Sequence, residues 1–439
     1  MSLNKSKIYS FKNNHDNLFL YSGYTGLILE WNNRIQNYLE NKEFDEEVNN
    51  YLQGKFGESQ TAASSFSIKP VVKTLTLFVT NQCNLACSYC HEKAFELHNS
   101  KSLDIETFKK TVLYFLENFE HQNVINICFW GDELLLNLQL IKESVNVLKE
   151  IGDRQGINFK FSLTTNGTFL NEEIIDFLIR YNISVEISID GLEILHDLHR
   201  RYLDGRGSYQ TIIDNVSKLA AYCDVSARVT VTNYQIDLIE MYQKLENAGF
   251  CAMKTECVVD HKLKNSEEEF RYFADNLQLF ADYFIDNIKQ RKIIYYTDFL
   301  NVLRNFHFGA FPNFFPCSAG LDKYAVNTDG SIYFCHYFSN IPEFKWGDVN
   351  LGFDREKRIQ FLKSHLVMER GKENCDNCWA QRVCGGTCYY ASYVESETTK
   401  SISDNYCRFK KEIFKKALYI YTSLLEEEKV FLDNTYLSG

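Results

Sequence analysis

The 439-residue sequence has no apolar run that approaches the length of a membrane span, which argues against a transmembrane helix. Its start, MSLNKSKIYSF, lacks the apolar core of a signal peptide, so export is not expected. It has no excess of basic charge. The formal net charge of −11 argues against a general nucleic-acid binder and leaves only a local basic groove open. No internal repeat and no long low-complexity segment is present. What the chain does have is cysteine, fourteen in all, and aromatics, with 27 Tyr and 34 Phe. Without an export signal, so many cysteines point to metal binding rather than disulfides, and to a reducing cytoplasm. The 45% hydrophobic content suffices for a sizeable core, and the length suits two or three domains.

Ten of the cysteines fall into two groups. Cys83, Cys87 and Cys90 form C-x3-C-x2-C in TNQCNLACSYC, with no fourth cysteine nearby. A [4Fe–4S] cluster normally takes four cysteine ligands, so three leave one iron open to a small molecule. Structural zinc is the plain alternative, but zinc takes four ligands, usually from C-x2-4-C pairs. The second group is Cys317, Cys335, Cys375, Cys378, Cys384, Cys388 and Cys407, in which Gly330 precedes Cys335 as G-x4-C and C-x2-C-x5-C-x3-C follows. A zinc ribbon is the alternative there. Cys128, Cys223, Cys251 and Cys257 read as buried structural thiols.

Residues 1–70 read as a small module. KIYSF, LFLYS and GLILEW are short strands, 34–39 and 46–52 are helical, and the polar stretch 57–65 is a linker. From Thr74 the pattern becomes strand–helix alternation: TLTLFVT, VINICFW, FKFSLTT, SVEIS, ARVTVT and CAMKTECVV, with helices between them. Six βα units predict a partial parallel barrel, too few to close an eightfold one. Ligands gather at the carboxyl ends of such strands, where the first cysteine loop falls. A long helix is expected at 266–290 and a last one at about 408–430, whose apolar face (Phe409, Ile413, Phe414, Ala417, Leu418) reads as packing rather than membrane binding. Three further strand ends carry FWGDE (129–133), TTNGT (164–168) and SIDG (188–191), the last followed by HDLHR. By composition alone each is an ordinary strand-end turn.

Taken together and in this order, these motifs resemble the radical S-adenosylmethionine (radical SAM) superfamily with a SPASM extension. The fold so implied is α/β: a partial (β/α)6 TIM-like barrel at 71–260, an N-terminal winged-helix-like leader-peptide recognition domain at 1–70, a bridging helical region at 261–312, and an iron–sulfur domain at 313–439. The resemblance implies S-adenosylmethionine and three [4Fe–4S] clusters. Cys83, Cys87 and Cys90 would hold the catalytic one. Cys375, Cys378, Cys384 and Cys407 would enclose one auxiliary cluster, and Cys317, Cys335 and Cys388 would hold the other with one ligand missing. Tyr89 would lie beside the adenine. Gly131, Asp132 and Glu133 resemble the G-G-E motif near the methionine amino group, with Asp132 in place of the second glycine. Asn166, Ser188 and Arg200 are further candidate cofactor contacts, and Arg228 is either one more or a salt-bridge partner. His336 stands where sulfatase-maturating relatives have an aspartate base. It reads either as a base itself or as a solvent-facing loop residue.

The chain is also similar to streptide-type cyclases, which join a lysine carbon to a tryptophan ring carbon in a precursor peptide. The implied reaction is hydrogen abstraction from such a peptide and an intramolecular crosslink. Thioether formation, sulfatase maturation and a non-enzymatic zinc-stabilised binding protein are the alternatives. Implied partners are a ribosomal precursor peptide with a leader and a flavodoxin- or ferredoxin-like electron donor, without nucleic acid or membrane.

Overall fold

The computed structural model describes residues 5–23, 25–40, 42, 44–56, 69–91, 101–260, 263, 265–309 and 313–437. The expected linker at 57–65 lies outside the described residues. Strands β1 (Ile8–Lys12), β2 (Leu18–Ser22) and β3 (Ile28–Glu30) form an antiparallel meander, followed by helices α1 (Asn33–Leu39) and α2 (Glu46–Phe56). Asn32 caps α1 by accepting the N–H groups of Arg34 and Ile35. Leu20, Tyr38, Val48 and Leu52 give this module a small core of its own.

Strands β4 (Val71–Phe78), β5 (Glu120–Trp130), β6 (Asn158–Thr165), β7 (Ser184–Ser188), β8 (Val225–Val231) and β9 (Ala252–Cys257) then pair in parallel and in chain order. Helices α3 (Ile105–Asn118), α4 (Leu138–Gln155), α5 (Glu172–Arg180), α6 (Glu193–His199), α7 (Tyr209–Leu219) and α8 (Leu238–Ala248) connect them. Period-two alternation divides the sheet into two faces. Leu75, Ile127, Leu163, Val185, Val229 and Met253 belong to the apolar core. The intervening residues include Cys128, Ser162, Thr164, Glu186, Arg228 and Glu256, all only half-buried. A closed eight-stranded barrel fills its interior with branched apolar side chains. This open one instead has a polar inner face suited to a ligand. Strand β5 starts earlier than the expected VINICFW, because Glu120 and His121 pair with Val71 and Val72 across a register shift.

Strand β10 (Lys323–Val326) lies parallel against β4, and β11 (Ser331–Tyr333), β12 (Lys345–Asp348) and β13 (Gly352–Phe353) extend the sheet antiparallel. The expected division at residue 313 therefore does not interrupt the sheet. Helix α9 (Glu267–Lys289) starts at a capping box formed by Ser266 and Glu269, and α10 (Thr297–Phe308) follows. The expected terminal helix is two: Asp404–Ser423 and Glu426–Leu432. Leu424 is extended (φ −83°, ψ 136°), and the Glu428 carboxylate accepts the Leu425 N–H at 2.7 Å to begin the second. No described helix is long and apolar enough to cross a membrane.

Candidate active site

The loop after β4 carries Cys83, Cys87 and Cys90. Segment 199–202 pins it: Ala86 N–H donates to the Arg201 carbonyl (2.6 Å) and Ser88 N–H to the His199 carbonyl (3.0 Å). The Cys83 sulfur accepts the Leu85 N–H at 3.4 Å, with Asn166 Nδ2 at 3.9 Å. Burial raises the Cys83 thiol to about 12, with Glu133, Cys87 and Asp132 adding to the rise. Three cysteines on one loop supply the donor type that an iron–sulfur cluster takes.

Gly131 has φ +147°, and a Cβ there would stand 2.5 Å from the Thr80 carbonyl oxygen, so this position requires glycine. Asp132, where the second glycine of the motif was expected, has no positive φ and donates its N–H to Thr80 (3.1 Å). The exchange costs no backbone strain. Glu133 departs from expectation. It is fully buried, and its carboxylate accepts the Thr165 hydroxyl (2.7 Å), Leu135 N–H (3.1 Å) and Asn166 N–H (2.7 Å). It braces the β5 loop against the end of β6 rather than pointing outward to a ligand. Asn166 in turn donates to Asn84 Oδ1 at 2.8 Å, fixing the cysteine loop from the side.

Asp190, which sequence reasoning passed over, is the hub of the next strand end. It is 2% exposed and takes the Tyr89 hydroxyl, Arg200 Nε–H (3.1 Å) and Thr230 N–H (3.3 Å). The Arg200 guanidinium also lies 5.4 Å from the Tyr89 ring centre. Burial opposes the Arg200 charge, but Asp190, Tyr89 and Cys87 outweigh it and hold the group charged. Arg200, expected as a contact to the cofactor carboxylate, holds Asp190 through Nε and lies over the Tyr89 ring. Ser188 ends β7 half-buried, in register with Arg228. Arg228 is engaged with Tyr337 and with the charges of Glu256 and Glu186.

The seven late cysteines separate by neighbourhood. Cys375 feels Cys378 and Cys407, and Cys384 feels Cys407, Cys375 and Cys378. Burial above all lifts these two thiols to about 11 and about 12. Cys335 feels Cys317 and Cys388, and Cys388 feels Cys317. Among the described residues no three His, Cys, Asp or Glu side chains stand close enough to hold a single metal ion, so the groups are defined by proximity rather than ligand geometry. Aromatic rings join the first cysteine loop to the three-thiol group: His91, next to Cys90, meets Tyr337 at 4.7 Å, and Tyr337 stacks on Tyr390 at 5.0 Å.

His336 is not the solvent-facing residue that one reading allowed. Its ring lies 4.4 Å from Trp130 at the end of β5. Burial, with Lys323, His91 and Arg228 nearby, lowers its pKa well below the ordinary value, which makes it a weak base. Cys257 is buried as expected, whereas Cys251 is exposed.

The family model of the radical SAM superfamily matches residues 77–249. An uncharacterized protein of Methanocaldococcus jannaschii is 32% identical over 227 residues, 50% of this chain and 76% of that protein. The chain belongs to the radical SAM superfamily. It is therefore an enzyme, and the cysteine loop lies within the matched segment. A cysteine-type anaerobic sulfatase-maturating enzyme of Clostridium novyi is 25% identical over 79% of this radical SAM chain and 96% of its own length. Among solved structures, native anSMEcpe with bound AdoMet and the Cp18Cys peptide has a TM-score of 0.67 at 19% identity, covering 83% of this chain and 99% of that one. Streptococcus suis SuiB bound to its precursor peptide SuiA has a TM-score of 0.50 at 13% identity, covering 93% and 100%. Both carry the same fold.

Proposed function

We propose that this radical SAM enzyme matures a ribosomally made precursor peptide by abstracting hydrogen from it and closing an intramolecular crosslink, with a lysine–tryptophan carbon–carbon bond as the first candidate. The observation that carries the reading is the association of three thiol groups, at Cys83/Cys87/Cys90, Cys317/Cys335/Cys388 and Cys375/Cys378/Cys384/Cys407, with a sheet whose inner face is polar. Two structures with this fold hold peptides. The SuiB likeness reaches 93% of the chain and the anSMEcpe likeness 83%. In this reading residues 1–70 are a leader-binding module, and the edge strand β3 of its three-stranded sheet accepts the peptide as an added strand.

In this reading Cys83, Cys87 and Cys90 hold a [4Fe–4S] cluster, the two later groups hold auxiliary clusters, and S-adenosylmethionine lies against Gly131, Asp132, Asn166 and Ser188. When bound, cluster and cofactor would supply one-electron chemistry able to abstract hydrogen from a C–H bond. The chain's own residues do the positioning. Asp190 and Arg200 fix Tyr89 at the cysteine loop. Glu133 and Asn166 lock that loop to β5 and β6. The polar inner face admits the peptide, and the surrounding helices exclude bulk water. A flavodoxin- or ferredoxin-like donor would supply the electron in a reducing cytoplasm that keeps Cys128, Cys223, Cys251 and Cys257 as thiols.

The test is anaerobic incubation with S-adenosylmethionine and the peptide encoded beside the gene. A product lighter by two hydrogens, with a crosslink located by fragmentation, supports the reading, and an unmodified peptide with intact cofactor cleavage rejects that substrate. The likeness to the Clostridium novyi enzyme favours a second reading, oxidation of a single Cys or Ser side chain, which changes one residue without joining two. Thiol labelling separates a thioether from a carbon–carbon bond. Deleting residues 1–56 should weaken peptide binding while cofactor cleavage persists. Equal affinity would refute the leader role.

A further inference from the structure

The N-terminal module does not stand apart from the four-thiol group; it grips the loop that carries it. Lys7, from the turn before β1, is only 4% exposed. Its Nζ donates to the Cys375 carbonyl at 3.2 Å and to Gln381 Oε1 at 2.6 Å, two points within the segment from Cys375 to Cys384. Tyr9 of β1 stacks on Trp379 at 4.4 Å, and Tyr21 of β2 meets the same ring edge-on at 5.9 Å. Gly23 lies so close to the Trp379 carbonyl that any side chain there would collide with it. Ser6 adds a hydrogen bond to Asn377 at 3.3 Å. Residues 6–23 therefore contact Cys375, Asn377, Trp379 and Gln381, on both sides of Cys378.

We propose that this grip is a redox-setting clamp, in which Lys7 of the module and Lys411 of helix Asp404–Ser423 place positive charge beside the Cys375/Cys378/Cys384/Cys407 site and raise the reduction potential of its cluster. The proposal rests on the assignment of an auxiliary cluster to these four cysteines. A cluster's potential follows its net charge, hydrogen bonding and solvent exposure. The clamp acts on each: it brings a buried ammonium to the ligand loop, fixes the loop's carbonyls, and covers it with Trp379 and Tyr9. Lys411 hydrogen-bonds Cys378. Burial lowers the Lys7 pKa from its ordinary value, with Cys378, Asp376 and Cys375 working against the fall, and the two hydrogen bonds of Nζ fix the group beside the ligand loop. A peptide that joined the module's sheet would thereby act on strands that touch the cluster's own loop, which links substrate arrival to the cluster's readiness to take an electron.

The test is an EPR-monitored redox titration of the full, anaerobically reconstituted chain. The signal and iron lost in Cys375→Ser/Cys378→Ser identify the site; if neither is lost, the cluster assignment fails, whatever Lys7 does. With the signal identified, Lys7→Met should make the cluster about tenfold harder to reduce, about 59 mV for a one-electron couple. Lys7→Arg should restore most of that loss, which a merely structural contact would not require. Lys411→Met gives an independent reading from outside the module and should shift the potential in the same direction. A fully loaded Lys7→Met protein whose midpoint equals that of the parent overturns the proposal.

Discussion

The Asp190 carboxylate accepts the Arg200 Nε–H at 3.1 Å, and both side chains are buried, 1% and 11% exposed. Charges removed from water are costly unless paired, and removing one partner of such a pair costs about 3–5 kcal/mol. Asp190→Asn should therefore destabilise the chain by about that amount in urea unfolding. The same change frees Tyr89, so S-adenosylmethionine affinity should fall in the fraction that remains folded. Unchanged affinity in calorimetry would remove Tyr89 from the cofactor site.

Glu133 makes a different prediction. Three donors converge on its carboxylate from Thr165, Leu135 and Asn166. Glutamine would turn an NH2 group toward donors, and alanine would leave all three unsatisfied, at about 1–3 kcal/mol for each such group. Glu133→Ala should thus be the more damaging variant. A direct ligand role would instead leave stability intact and affect only cofactor binding.

Acid should weaken the fold through two histidines. His196 accepts the Asp190 N–H at Nδ1 (3.1 Å), and His365 sits between the Phe361 carbonyl (2.8 Å) and Thr399 (2.8 Å). Burial lowers both from 6.5 to about 4. The unfolded chain therefore binds protons that the folded one refuses. The contribution is fully present above about pH 6.5 and is lost as pH falls toward 4, by on the order of 3 kcal/mol for each group. Unfolding free energies of the metal-free chain from pH 7.5 to 5 should show the decline, and His365→Gln should flatten it. A flat parent profile would contradict the burial of both rings.

Metal loading tests the three thiol groups. Reconstituted protein should hold about three [4Fe–4S] clusters, one for each group. Changing Cys83, Cys87 and Cys90 together to Ala should remove one cluster's iron and abolish cofactor cleavage. Persistent cleavage in that variant would place the chemistry elsewhere.

The C-x3-C-x2-C triad, the glycine at position 131 and the six parallel strands were legible because each is a local pattern: a spacing, a close turn, an alternation. Asp190 was not. A single aspartate in SIDG looks like any strand-end turn, and only its pairing with Arg200, across α6, reveals its role. The signal available was an acid ahead of the arginine that closes HDLHR. Glu133 was seen but misdirected, since its partners at Thr165 and Asn166 lie on the next strand. Lys7 was invisible, because 368 residues separate it from Cys375. The strand KYAV (323–326) was too short to register by pattern and exists because β4 offers it an edge.

That edge has a consequence for how the protein is made. Lys323 lies opposite Thr74, so the strand leading into the cysteine loop acquires its second neighbour only after roughly 250 further residues have been synthesised, a long closure to complete. Until then the nascent chain carries a bare strand margin ready to pair with another molecule. The last third of the polypeptide is thus a guard for the first, and a chain halted before residue 323 should be recovered as aggregate rather than as a smaller working enzyme.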